Sequence, residues 1–250
     1  MPKLSVCVIT KNEARTIGRC LQSVSFADEI IVVDSGSTDS TVADAKASGA
    51  TVIHHAWLGW AKQKNVAVGH AANDWILSLD ADEWLSEEAS ITLQEMLKNP
   101  EADAYYLGRR TLFLGKWIRH SGWYPDRQIR LFRKSVTQFE EVPVHEKVIA
   151  PANTAILAAD IWHESYLSLA QYFAKNKRYA ESQAEQQKDQ RFVYLKLVVK
   201  PAYRFVQTYI QQLGFLDGGK GLLLAVLRSW YEFRVLRTIL NLRHQQKQDQ

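Results

Sequence analysis

Four short apolar runs, Leu4–Ile9, Glu29–Val33, Thr51–His54 and Trp75–Leu79, alternate with stretches of helical periodicity, and no other feature restricts the fold of this chain as tightly. Each run is the length of a strand, and runs without a polar alternation read as strands buried on both faces. After the first run, Asn12 is placed to cap a helix in which Ile17, Leu21 and Val24 recur at i, i+4 and i+7. After the second, Asp34–Thr41 supplies a turn and a helix cap, the helix runs to about Ser48, and Gly49 stops it. A helical stretch around Ala61–Ala72 leads into the fourth strand. Ser86 then caps a helix with Glu87 and Glu88 in its first turn, where the helix dipole favours acids, and with Ala89, Leu93, Met96 and Leu97 on its core face. A βαβαβαβ order predicts a parallel sheet flanked by helices.

Ligands of such sheets bind at the carboxyl ends of the strands. Three polar clusters fall there: Thr10-Lys-Asn-Glu13, Asp34–Asp39 and Asp80-Ala-Asp82. On extended backbone, residues i and i+2 share a side, so Asp80 and Asp82 would hold their carboxylates together and need a cation or a proton to coexist. Oxygen ligands suit Mg²⁺ or Mn²⁺, which commonly bridge phosphates, and nucleotide chemistry follows. Two other readings stand beside it: a solvated strand-end turn, or a nucleophilic Asp80 of the kind that usually follows a first strand. Asp34 is placed to bond a base or ribose, or else to support the Ser35-Gly36-Ser37 turn. Asp39 reads as a helix cap. Thr10, Asn12 and Glu13 read as nucleotide contacts or as capping residues. Neither G-x-x-x-x-G-K-[ST] nor G-x-G-x-x-G occurs, which removes the P-loop and dinucleotide-binding readings.

From about Ala102 the pattern is strand-rich, at Ala104–Arg109, Gln128–Phe132 and Val144–Ile149. After Tyr166 it turns helical, with Pro201 interrupting one helix and Gly214–Gly221 separating it from another. Charge changes at the same place. Residues 1–164 carry 17 Lys+Arg against 21 Asp+Glu, and residues 165–250 carry 14 against 6, so an acidic body precedes a basic region suited to anionic partners. Leu222–Leu227, Trp230, Phe233 and Leu236, interleaved with Arg228, Arg234 and Arg237, suit an interfacial helix on anionic lipid, or else a helical subdomain packed on the body. No nucleic-acid recognition motif accompanies the basic residues, so no such partner is expected. No stretch is long and apolar enough to span a membrane, the apolar run ending at Thr10 is too brief for a signal peptide, and Cys7 and Cys20 fit a reducing compartment. His120, His145-Glu146 and His163-Glu164 form no zinc spacing and stay undecided on composition alone.

Together, Ser5-Val-Cys-Val-Ile-Thr10-Lys-Asn-Glu13, Ile31-Val-Val-Asp34-Ser-Gly-Ser-Thr-Asp39, Leu79-Asp-Ala-Asp-Glu83, Gln128-Ile-Arg-Leu-Phe-Arg133, Val144-His-Glu146 and Ile161-Trp-His163 resemble the family-2 inverting glycosyltransferases of GT-A fold, over about residues 3–166. The stretch Leu213-Gly-Phe-Leu-Asp-Gly-Gly-Lys-Gly-Leu222 resembles the lipopolysaccharide-core β-1,4-glucosyltransferases that act on an inner-core heptose. The resemblance implies an α/β GT-A catalytic domain, Rossmann-like, at 1–165 and a helical C-terminal region at 166–250. It implies a UDP-sugar donor whose uridine side is held by Thr10, Asn12, Glu13 and Asp34, with Lys62 a nearby contact. Mg²⁺ or Mn²⁺ on the diphosphate would be held by Asp80 and Asp82, with His163 a further ligand. Glu146 falls where the family's catalytic base stands, but His145-Glu146 replaces the more frequent Glu-Asp pair, so Glu141 and Glu140 compete for the role.

The implied reaction is transfer of a hexose, glucose by the narrower resemblance, to a lipopolysaccharide or lipooligosaccharide inner-core heptose. The enzyme would be cytoplasmic and peripheral on the inner-membrane face, in contact with anionic lipid. Rival readings are a glycosyltransferase for another acceptor (another surface polysaccharide, a polyprenyl phosphate or a protein), a nucleotidyltransferase, or a non-catalytic sugar-nucleotide binder. A nucleotidyltransferase would carry a Gly-rich basic loop after the first strand, and a binder needs no base.

Overall fold

A computed structural model describes residues 2–141 and 146–248. They group into two units, Met1–Arg110 with Asp126–His163, and Thr111–Pro125 with Glu164–Gln250.

The first unit is built on the alternation seen in the sequence. Strands β1 (Leu4–Thr10), β2 (Glu29–Asp34), β3 (Thr51–His54) and β4 (Trp75–Asp80) lie parallel in the order β3-β2-β1-β4. Between them run helices α1 (Ile17–Gln22), α2 (Thr41–Ala47) and α3 (Trp60–His70). All seven residues of β1 are buried, as a central parallel strand requires. Its side chains alternate between two cores. Leu4, Val6 and Val8 pack with Val32, Leu77 and Leu79 and with Ile17, Cys20 and Leu21 of α1. Cys7 and Ile9 pack on the other face with Ile31, Val33 and Ile76 and with Ala61, Ala67 and Val68 of α3. Fully burying each such Val, Leu or Ile contributes about 1.5–3 kcal/mol, which is what makes this register hard to slip.

Beyond β4 the sheet becomes mixed. After a tight turn come β5 (Glu83–Leu85) and α4 (Glu87–Lys98), which Ser86 caps by accepting from Ala89 N at 3.1 Å. Strands β6 (Ala104–Phe113), β8 (Asp126–Arg133) and β9 (Thr154–Tyr166) complete the order β3-β2-β1-β4-β8-β6-β9-β5, and the short β7 (Lys116–Trp117) pairs with the end of β6. The expected α/β core followed by a helical extension is therefore the fold. Strands β5, β7 and β9 were not foreseen; β9 mixes partly buried polar and apolar positions without a clean period. Of the strand expected at Val144–Ile149, residues 144–145 lie outside the described residues, and Val148 makes one isolated bridge to Phe139.

Asn12 does not cap α1. It sits at φ 57° and its carboxamide oxygen accepts from Thr38 N at 2.8 Å, tying the loop after β1 to the loop after β2. Asp39 holds the start of α2, accepting from Thr41 N at 3.0 Å.

The second unit contains α5 (Leu169–Gln186), α6 (Val193–Val206), a π turn (Gln207–Gln211), a 3₁₀ turn (Gly214–Asp217) and α7 (Gly219–Gln248). Pro201 does not end α6, because contacts to α7 carry the helix past it: Ser229 Oγ donates to Pro201 O at 2.8 Å, and Arg204 pairs with Glu232 at 2.6 Å. Asp217 is buried and accepts from Arg119 N, His120 N and Ser121 Oγ at 2.8–3.1 Å, so the acid of the Gly-rich stretch anchors the loop after β7. Of the α7 residues expected at a lipid interface, Leu224, Leu227 and Leu236 are core residues of this unit, whereas Leu222, Val226 and Phe233 are exposed.

Candidate active site

Strand register aligns the polar ends of the parallel strands. Thr10 pairs with Asp34, Asp34 with His54, and Ile9 with Asp80, so three of the polar clusters meet on one sheet edge. Asp34 is fully buried, and its carboxylate accepts from Gly36 N at 3.0 Å, from Ser37 N at 3.1 Å and from His54 Nδ1 at 2.9 Å. It holds the Ser35-Gly36-Ser37 turn in place. Asn12 N donates to Ser37 Oγ at 2.9 Å and Glu13 N to Thr41 Oγ1 at 2.8 Å, so the first two loops form one bonded rim. Thr10 Oγ1 is buried at that rim with no hydrogen-bond partner among the described residues, the kind of vacancy a ligand atom fills.

Next to the rim lies a network of charges. Lys64 of α3 is almost wholly buried, and its Nζ is 2.9 Å from Asp80 Oδ1 and 2.9 Å from Glu146 Oε1. Arg130 of β8 reaches Asp80 Oδ2 at 3.0 Å and the fully buried Glu83 at 2.6 Å. Burial alone would raise the Asp80 carboxyl, but Lys64 and Arg130 outweigh it and hold the group well below the usual carboxylate range. Burial would likewise lower the Arg130 guanidinium, yet Glu83 and Asp80 push it above its ordinary value. Both residues are thus fixed as ions. Glu146 is brought to α3 by Asn65, whose side chain exchanges two 3.0 Å hydrogen bonds with the backbone of Phe139, and by the Phe139–Val148 bridge.

The expectation for Asp80 and Asp82 needs correction. Strand β4 ends at Asp80 and a turn carries Asp82, so the extended-backbone rule does not apply. Asp80 faces Lys64 and Arg130, while Asp82 Oδ2 lies 3.3 Å from His163 Nε2. The antiparallel ladder of β5 on β9, which pairs Glu83 with His163, brings that histidine across 81 positions of sequence. Among the described residues no three His, Cys, Asp or Glu side chains converge as a metal cluster. Asp82 and His163 form a two-donor set, with His163 Nδ1 buried and without a hydrogen-bond partner among the described residues, and two donors suit a cation that takes its other oxygens from a diphosphate.

Lys62 is not part of the network: it is half exposed and lies 3.8 Å from the equally exposed Glu141. Lys64, Glu83 and Arg130, to which the sequence reading assigned no role, complete a network around the expected Asp80 and Glu146. One signal for Lys64 was available, since Ala61, Lys64 and Val68 fall at i, i+3 and i+7 and put a lysine on the buried face of α3.

Residues 5–157 match the family described as Glycosyl transferase family 2. An uncharacterized glycosyltransferase of Rickettsia felis is 30% identical over 252 residues, covering 93% of this chain and 88% of that protein. The lipopolysaccharide core biosynthesis glycosyltransferase LpsC of Rhizobium meliloti is 27% identical over 245 residues, covering 93% and 91%. Among solved structures, S. aureus TarS 1-349 in complex with UDP-GlcNAc is similar with a TM-score of 0.50 at 17% identity, covering 97% of this chain and 92% of that one, a likeness of fold.

Proposed function

The chain belongs to glycosyl transferase family 2, and from that premise we propose that it moves a hexose, glucose in the reading we favour, from a UDP-sugar to an inner-core heptose of a lipopolysaccharide or lipooligosaccharide, with inversion. That it is a sugar-nucleotide-dependent glycosyltransferase follows from the family; donor, acceptor and stereochemistry are our reading. The observation that carries it is Lys64, whose single ammonium ties Asp80 at the carboxyl edge of the sheet to Glu146.

The rim of Thr10, Asn12, Glu13 and the Asp34-supported turn holds the uridine side, and the unpartnered Thr10 hydroxyl supports this. Lys64, in place of Lys62, faces the diphosphate and balances its charge as it leaves. Glu146 takes the proton of the acceptor hydroxyl while that oxygen forms its bond to the anomeric carbon and the bond from that carbon to the diphosphate breaks. A positioned base of this kind contributes about 10²–10⁴-fold. Asp82 and His163 are the residues that would hold Mg²⁺ or Mn²⁺, which when bound supplies positive charge to the diphosphate. Asp80 positions Lys64 and Arg130 around that site.

The similarity to LpsC, a lipopolysaccharide core biosynthesis glycosyltransferase, supports the acceptor class. A lipid-linked acceptor of this kind sets the work at the cytoplasmic face of a membrane. A panel of UDP-glucose, UDP-galactose, UDP-GlcNAc and GDP-mannose with Mn²⁺, read as the shift in melting temperature, tests the donor, because a ligand of the native state raises it with affinity. UDP-glucose should give the largest shift. Preference for the GDP-sugar would refute the uridine assignment.

A further inference from the structure

Helix α6 is apolar on two opposite faces. Val193 and Leu197 turn inward onto Val235, Leu236 and Ile239 of α7. On the other side, Tyr194, Leu195, Val198, Val199, Tyr203 and Val206, continued by Ile210 in the π turn, form one stripe of side chains that are 46–73% exposed. Spacings of three and four place them on a single helical face. A helix apolar all round is ordinarily covered on every side. Among the described residues nothing covers the outer side.

The charge around this stripe selects the cover. From residue 190 to residue 216 the chain has four Lys or Arg and no Asp or Glu. Arg204 is turned inward to Glu232, whereas helical geometry sets Lys196 and Lys200 along one margin of the stripe. Lysines there can lay their stems on apolar surface and hold their ammonium groups at the phosphate level of a bilayer, and tyrosines suit the same boundary. The helix has 14 residues and no helix of the described residues is long and apolar enough to cross a membrane, so α6 can lie only in the plane of a lipid surface. A two-fold dimer through this face would instead oppose Lys196 and Lys200 to their own copies, with no carboxylate between residues 190 and 216 to pair them.

We propose that the outer face of α6 seats the enzyme on an anionic lipid bilayer. Such seating adds α6 to the α7 residues expected there, of which Leu224, Leu227 and Leu236 are core while Leu222, Val226 and Phe233 stay exposed. It extends the glycolipid reading of the acceptor and rests on it, since a lipid-borne acceptor is met at a bilayer surface.

Flotation of the full chain with phosphatidylethanolamine–phosphatidylglycerol vesicles and with phosphatidylcholine vesicles tests this, using wild type, Val198→Glu and the pair Lys196→Glu with Lys200→Glu. Wild type should float with the anionic vesicles and not with the neutral ones, and each variant should lose about tenfold in bound fraction at low salt. Melting temperatures and donor-induced shifts should match wild type, because the substituted positions touch neither core nor site. Wild type that ignores anionic vesicles overturns the proposal, and so does a variant that floats normally. Wild type that is a dimer and Val198→Glu a monomer, with no flotation, would make the face a dimer interface. The two readings fail separately. Flotation without any sugar-nucleotide binding would strike the donor reading alone. Donor binding without flotation would strike the surface alone.

Discussion

Lys64 and Glu146 stand 82 positions apart in the chain and meet through one 2.9 Å ion pair. The pair exists because α3 turns Lys64 onto its buried face while Asn65, the next residue, clamps the backbone of Phe139, which bridges Val148 two residues beyond Glu146.

Lys64→Met should therefore be costly and Lys62→Met nearly silent. Losing the buried ammonium strips Asp80 and Glu146 of a charged partner, a loss of about 2 kcal/mol in stability, and turnover should fall by about 10²-fold if Lys64 also balances the leaving diphosphate. Lys62 has only an exposed 3.8 Å pairing with Glu141, of a kind contributing about 0–1 kcal/mol. Thermal melts and steady-state rates on both variants check this; equal effects would return Lys62 to the site.

The parallel half of the fold was legible because β1 and β4 are buried along almost their whole length and α1 keeps a clean period, whereas β3 is largely exposed and was found by its place in the alternation. Leu4–Ile9 and Ile17, Leu21 and Val24 needed no tertiary information to be placed. The site was legible as a set of strand ends and less so as a set of partners. Asp80 and Asp82 were read as a pair by an extended-strand rule that a turn at the end of β4 cancels. Lys62 was named on resemblance and Lys64 was missed, although Ala61, Lys64 and Val68 fall at i, i+3 and i+7 on the buried face of α3. The β9 register that delivers His163 to Asp82, and the packing of α6 on one face of α7 that leaves the other face of α6 outward, depend on long-range contacts that no local pattern encodes.

Asp82→Asn and His163→Ala should each weaken Mn²⁺-dependent donor binding by about tenfold, roughly the loss of one charge-assisted ligand. Removing the metal with a chelator should bring wild type to the same level. Calorimetric titration of UDP with and without Mn²⁺ reads the effect, and affinities independent of Mn²⁺ in all three proteins would remove the metal from this pair.

Acidification should destabilise the protein in a way that Asp80→Asn reduces. Its folded carboxyl lies below the ordinary value of about 3.9, so its contribution is present above that pH and is lost as pH falls further. Urea midpoints between about pH 6 and pH 3 should fall less steeply in Asp80→Asn than in wild type; parallel slopes would contradict the assignment.

Both cysteines should be silent to thiol reagents in the native state. Cys7 and Cys20 are free and buried; burial pushes the Cys7 thiol up to about 12 and holds Cys20 well above its ordinary value. At pH 8 the reactive thiolate is therefore scarcer than for an exposed thiol. A disulfide reagent should titrate neither before unfolding and both after. Rapid native modification would show that the core near β1 opens.

Turnover of Glu146→Gln with a UDP-hexose and a heptose-bearing core acceptor tests the central claim most directly. The rate should fall by about 10²–10⁴-fold while the donor-induced melting shift is kept, and Glu141→Gln should turn over like wild type. Near-normal turnover in Glu146→Gln, or loss of activity in Glu141→Gln instead, would contradict the placement of the base beside Lys64.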